Sequence, residues 1–195
     1  MTTHIMLDLE TLSTRGDAAV LSVGAVTFSS EKVCAGTDRI REFVNEERSQ
    51  NAKKFVAYPD ALHNGVAHFA LKDERGYKDI DTYLWWMEQS EEARRAVINL
   101  PRFGEQRIGT MLQLFVEWVD DCPVWGNGAS FDITIFRSLC QRYGVTCWEH
   151  WQDRCYRTWK QDKPSLAKED RIGIHHHALC DAYDQAAHMV RHGGF

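Results

Sequence analysis

The chain has 195 residues and a mass of 22.5 kDa, which fits one domain over residues 1–195 built around a single buried core. Hydrophobic residues make up 44% and charged residues 26%, a balance that excludes disordered, collagen-like and coiled-coil chains. Lysine and arginine total 23 against 28 acids, a net charge of −5. That balance disfavours a protein that coats nucleic acid through its own positive charge, but not an enzyme that meets phosphate through bound cations.

The most apolar stretch, Ala18 to Phe28, is broken by Ser22, Gly24 and Thr27 and is shorter than the ~18 residues a membrane span needs. Asp8 and Glu10 arrive before a signal-peptide apolar region can form, so a cytoplasmic protein with no membrane partner is expected. The six cysteines (Cys34, Cys122, Cys140, Cys147, Cys155 and Cys180) contain no C-x-x-C pair, and free thiols are expected. A zinc knuckle made from Cys140, Cys147, His150 and Cys155 is the weaker alternative.

In chain order, residues 4–10 alternate as a strand does, with Ile5, Leu7 and Leu9 on one face and Met6, Asp8 and Glu10 on the other. Ala19 to Phe28 reads as a buried strand, and a third strand is expected near Arg41 to Val44, completing a meander. From Asn45 to about Asn99 the pattern is polar and helical, with Ser90 capping a helix over Glu91 to Ile98. Arg107 to Val119 predicts a helix with an apolar stripe through Ile108, Met111, Leu112, Phe115, Trp118 and Val119. Pro123 to Trp125 predicts a short strand that ends in Gly126-Asn127-Gly128, and a helix follows from Ser130 to about Tyr143. A last helix begins near Ala178, so strands come first and then alternate with helices, the pattern of a mixed α/β sheet.

Three places carry chemistry. A lone D-x-E tripeptide is expected about once by chance in a chain this acidic, but Asp8 and Glu10 share one face of an apolar strand. Two carboxylates so placed repel unless something positive lies between them, and Mg²⁺ and Mn²⁺ favour such oxygen ligands. The glycine-rich turn after Trp125 delivers Asp132 to a helix start, where an acid also suits the helix dipole. His176 precedes Asp181 by five residues at the start of the last helix, a carboxylate and an imidazole that together can hold a metal and take a proton.

Asp8-Leu9-Glu10-Thr11, Ser130-Phe131-Asp132 and His176-x-Ala178-x-x-Asp181, in this order, resemble the DEDDh 3′-to-5′ exonucleases, the superfamily of polymerase proofreading subunits and oligoribonuclease. Ile5 to Leu12, the block Trp125 to Asp132 and the segment from Trp85-Trp86 to Ala93 further resemble a phage and bacterial branch with DexA-type exonucleases and a mycobacterial exoribonuclease. The resemblance implies an α/β, ribonuclease H-like fold with a mixed five- or six-stranded sheet flanked by helices. It implies release of nucleoside 5′-monophosphates from 3′ ends of single-stranded DNA or RNA, with DNA slightly favoured, using two Mg²⁺ or Mn²⁺ ions ~4 Å apart. By position Asp8, Glu10 and Asp181 would hold the metal that activates water. Asp8 would also reach the second metal, Asp132 would act largely through metal-bound water, and His176 would be the general base.

The resemblance also places Leu9, Thr11, Leu12 and Phe131 near the terminal nucleotide, and by analogy a homodimer is expected. Only His176 stands at the family's distance from Asp181, which leaves His175 and His177 as solvent or supporting groups. Asp184, one turn further on, reads as a surface helix charge rather than a fifth site acid. Trp85 and Trp86 face about 100° apart on a helix and cannot both be core; the default is one in the core and one covered by a neighbour or a dimer partner, and stacking of one on a base is the alternative. Arg94, Arg95, Arg102, Arg107 and Lys160 are candidate phosphate contacts, with ordinary solvated charge as the default. A retired nuclease fold serving as a binding or scaffold module is the alternative function, and the complete set of four acids and a histidine argues against it.

Overall fold

The computed structural model describes residues 2–48, 62–63, 65–98 and 102–195. Strands β1 (His4–Thr11), β2 (Val20–Phe28), β3 (Leu62–His63), β4 (Val66–Leu71), β5 (Arg102–Phe103), β6 (Val124–Gly126) and β7 (Asp153–Cys155) form one mixed sheet. The order is β3-β4-β2-β1-β6-β7, and the two-residue β5 pairs with β4. β1 is central: it runs antiparallel to β2 and parallel to β6, whose other neighbour is the parallel β7.

The alternation along β1 decides what lies on each face. Ile5, Leu7 and Leu9 enter a core with α4 (Glu105–Val119) and α5 (Thr134–Arg142), where Ile108, Met111, Leu112, Phe115, Phe136 and Leu139 are buried. Met6 enters the opposite core with Val26 and with Leu179, Ala182, Ala186 and Met189 of α7 (Ala178–His192). A strand with apolar residues at every second position divides the molecule in this way, and the two acids fall on the α7 side.

The remaining helices are α1 (Thr37–Arg48), α2 (Ile80–Glu88), α3 (Glu91–Ile98) and the short α6 (Tyr156–Trp159). Ser90 accepts the Ala93 N–H at 3.1 Å and caps α3 as its position predicts. None of the helices among the described residues is long and apolar enough to cross a membrane.

The expected third strand is corrected. Arg41 to Val44 lies inside α1, whose first turn holds Asp38 and whose surface carries the i,i+3 pairs Arg39–Glu42 and Asp38–Arg41. The third strand of the meander is β4, antiparallel to β2. It falls within the stretch read as helical; of that stretch, 49–61, 64 and 99 lie outside the described residues. The six cysteines are free thiols, and the described residues hold no cluster of Cys140, Cys147, His150 and Cys155 that could bind a metal: Cys147 shares hydrogen bonds with Cys140 and with the Trp148 backbone.

Candidate active site

Asp8 and Glu10 pair across the sheet with Gly24 and Ser22 of β2. A Cβ on Gly24 would lie 2.2 Å from the backbone of Ala178 and Leu179, so the missing side chain lets the first turn of α7 rest directly on β2. That contact sets Asp181 against the strand. Carboxylate oxygens of Asp8, Glu10 and Asp181 all lie within 4.8 Å of one another.

Asp132 arrives from the other side of β1. Beyond β6, Gly128 takes φ = 134°, a conformation closed to side-chain-bearing residues, and a single π-helical turn over Ala129–Ile133 leads into α5. The wider turn buries Asp132 to 2% exposure, and its Oδ2 has no hydrogen-bond partner. Gln185, one turn after Asp181 on α7, donates to Asp8 Oδ1 at 2.8 Å, leaving its own Oε1 without a partner.

Burial, and then the neighbouring acids Asp132, Asp181 and Glu10, push Asp8 well above the usual carboxylate range; burial and Asp181 do the same to Glu10. Burial lifts Asp132 to about 7, while the amides of Leu9 and Asn127 and the charge of Arg157 pull it back. Crowded, desolvated carboxylates with an orphaned oxygen beside them fit a hard divalent cation bound through oxygen. Without a cation, Asp8 and Glu10 repel the acids around them and hold their protons more tightly.

This has a measurable sign. The native carboxyls keep protons that the unfolded chain releases near its ordinary carboxylate pKa, so this stabilisation is complete in acid and is lost as pH rises through about 7 for Asp132. The melting temperature of cation-free protein is therefore expected to fall between about pH 5 and pH 8, and Mn²⁺ to raise it more at the higher pH. Thermal denaturation in EDTA against Mn²⁺ checks this; a flat profile without cation would contradict it.

The three histidines have different surroundings. His176 lies in the left-handed region (φ = 64°), its N–H donates to Asp181 Oδ2 at 2.9 Å, and its ring stands edge-on to Trp85 at 4.9 Å. Burial and the neighbouring His175 lower its pKa. His177 is buried instead, accepts the Cys180 N–H through Nδ1 at 3.4 Å as the cap of α7, and lies 4.6 Å from the ring of His68. A ring nitrogen of His175, one of His176 and a carboxylate oxygen of Asp181 also lie within 4.8 Å of one another.

The four acids, Gln185, His175 and His176 line a cleft of about 1020 Å³, and His177 does not. Of the residues expected to meet substrate, Leu9, Thr11 and Phe131 border it, though the Leu9 side chain belongs to the opposite core. Leu12 does not: its N–H donates to Ala19 O and its carbonyl accepts from Asp79, which fixes the turn after β1. Both tryptophans border the cleft: Trp86 is buried, with Nε1 donating to Thr11 O at 2.9 Å, whereas Trp85 is 40% exposed.

The expected cations are mostly elsewhere. Arg94 and Arg102 donate to main-chain carbonyls, Arg95 pairs with Glu91, and of the five only Lys160 borders the cleft. Arg157, Lys163 and Arg171 join it, and none of these stands out from ordinary surface charge in the sequence. Gln185 carries a faint signal, since it follows Asp181 by four residues on a helix. Asp184 is not a surface charge: it is 3% exposed, accepts the Ile172 N–H at 3.0 Å, and burial raises its pKa to about 6.

Residues 3–191 match the family described as the Rv2179c-like 3′-5′ exoribonuclease domain. The chain belongs to this family. The fold of the Rv2179c-like chain is similar to that of exonuclease I from E. coli in complex with a dT13 oligonucleotide, with a TM-score of 0.56 at 15% identity over 98% of this chain and 41% of that one. The same enzyme with a dA16 oligonucleotide gives 0.50 at 16% identity over 96% of this chain and 40% of that one. A 121-residue stretch is 29% identical to an imidazolonepropionase of Photorhabdus laumondii, covering 60% of this chain and 27% of that protein. The Rv2179c-like chain thus spans well under half the length of each of these three.

Proposed function

We propose that this Rv2179c-like domain is a 3′-5′ exonuclease that removes nucleoside 5′-monophosphates from single-stranded ends. The observation that carries the reading is the convergence of Asp8, Glu10 and Asp181 within 4.8 Å, with the orphaned Asp132 Oδ2 buried beside Asp8. These four acids would hold two divalent cations, Mg²⁺ or Mn²⁺, which supply Lewis-acid stabilisation of the attacking and leaving oxygens. Gln185 orients Asp8 through its hydrogen bond. His176 accepts the proton of the attacking water: its lowered pKa leaves the imidazole neutral near pH 7, and its position at the cleft beside Asp181 puts it within reach. Leu9, Thr11 and Phe131 border the space for the terminal nucleotide.

The test is digestion of end-labelled single strands with and without Mn²⁺. Labelled mononucleotide released from the 3′ end is expected, and a ladder growing from the 5′ end would overturn the polarity. DNA is retained as the first arm of the test and RNA as the second, because the family's description names RNA. A protein that binds strands without cutting them would support the retired-nuclease alternative.

Trp85 is assigned to stacking on a base. Trp85→Ala is expected to weaken strand binding by about 1–3 kcal/mol at unchanged melting temperature, whereas Trp86→Ala lowers the melting temperature because it empties a buried site. Fluorescence titration against thermal denaturation separates the two, and equal binding by Trp85→Ala would remove the stacking role. A homodimer also stays a proposal: Ile80, Tyr83, Leu84 and Met87 form an exposed apolar row on α2 for it, and sedimentation as a monomer would overturn it. The cytoplasmic setting is proposed on the same terms, and a cell fractionation that recovers the protein outside the cytoplasm would overturn it.

A further inference from the structure

We propose that Arg171 is a positioning residue that stands in for a cation at Asp181 and passes to a phosphate of the substrate once a cation arrives. The inference rests on reading the acids as a cation site. Arg171 Nη1 donates to Asp181 Oδ1 at 2.9 Å, on the carboxylate whose other oxygen accepts the His176 N–H.

The backbone that carries this guanidinium is held on both sides. Asp170 pairs with Arg191 at 2.7 Å, Ile172 donates to Asp184, and upstream Pro164 O meets His188 Nε2 at 2.8 Å. His188 in turn meets the Tyr156 hydroxyl at 2.7 Å. Positions 181, 184, 188 and 191 recur at three and four residues, so one side of α7 holds the whole segment from Tyr156 to Ile172. With its main chain fixed, Arg171 can change partner only by swinging its side chain.

A divalent cation bound at Asp181 would lie close to the guanidinium, and like charges repel strongly in a desolvated site. The same stretch of chain borders the cleft with Arg157, Lys160 and Lys163, a row of positive charge that draws a phosphate to this wall. The planar fork of arginine matches two phosphate oxygens at once. Asp181 is thus neutralised by Arg171 before a cation binds and by the cation afterwards, and the released guanidinium gains the phosphate. Cation and Arg171 compete for Asp181, whereas cation and nucleotide help each other to bind.

The test needs no turnover. Mn²⁺ binding is followed by electron paramagnetic resonance in wild type, Arg171→Met and Arg171→Lys, alone and with a nucleoside 5′-monophosphate. Arg171→Met is expected to bind Mn²⁺ about five- to tenfold tighter than wild type, and the nucleotide to tighten Mn²⁺ binding by a similar factor in wild type only. Arg171→Lys keeps the charge without the fork, so it is expected to retain the wild-type Mn²⁺ affinity and to lose the nucleotide effect. Unchanged or weaker Mn²⁺ binding by Arg171→Met, with its melting temperature preserved, overturns the proposal, as does an equal nucleotide effect in wild type and variant. Wild type that binds no Mn²⁺ overturns the cation site itself, so the two failures are distinguishable.

Discussion

Asp8→Asn is expected to reduce mononucleotide release by about 10³-fold while raising the melting temperature of the cation-free protein. Asp8 needs a counter-charge: it is buried, and Asp132, Asp181 and Glu10 all push its proton affinity upwards. Asparagine keeps an oxygen for the 2.8 Å bond from Gln185 and removes the charge. The activity loss follows the cost of deleting a group that stabilises charge in the transition state. The stability gain follows from relieved repulsion and is read at the higher pH, where wild-type Asp8 must give up its proton, at about 2–4 °C for each kcal/mol in a chain of this size. Strand digestion and thermal denaturation in EDTA read both effects. A variant that melts lower than wild type would show that Asp8 is held by favourable contacts, and one that still digests would remove the acid from the site.

His176→Ala and His177→Ala are expected to fail in opposite ways. His176 borders the cleft and belongs to neither core, so the fold and Mn²⁺ binding should persist, although alanine suits the left-handed backbone less well than histidine. Turnover should drop by about 10²–10⁴-fold, the range for losing a general base. His177 caps α7 and is buried beside His68; its removal should cost about 0.5–2 kcal/mol from the cap alone and lower the melting temperature. The folded fraction of His177→Ala should remain active. A folded, cation-binding but inactive His177→Ala beside an active His176→Ala would show that the proton acceptor is the wrong member of the pair.

Much of this arrangement is legible in the sequence because it rests on local rules. The pleat of β1 places both acids on one face, Ser90 caps α3, and the apolar stripe of α4 and the start of α7 fall where their periodicity puts them. β4 is not legible, since all six of its residues are buried and a short uniform run without alternation looks the same in a helix and in a strand. Val44 lies within a short run that β-propensity favours, while the charges around it favour α1. The site follows the same division. Motif spacing brings out the four acids and His176, but Arg171 and Asp184 acquire meaning only when a loop docks on α7, and that contact is set by tertiary packing.

The two-sided character of β1 makes the domain intolerant of small length changes. Deleting or inserting one residue ahead of Asp8 within the strand would rotate every following side chain by half a turn. Ile5, Leu7 and Leu9 supply the greasy layer under α4 and α5, so the same slip would push carboxylates into that layer and leucines into the cleft. Length variation in this strand is therefore confined to steps of two or to its ends, where the register with β2 already shifts between Glu10 and Thr11.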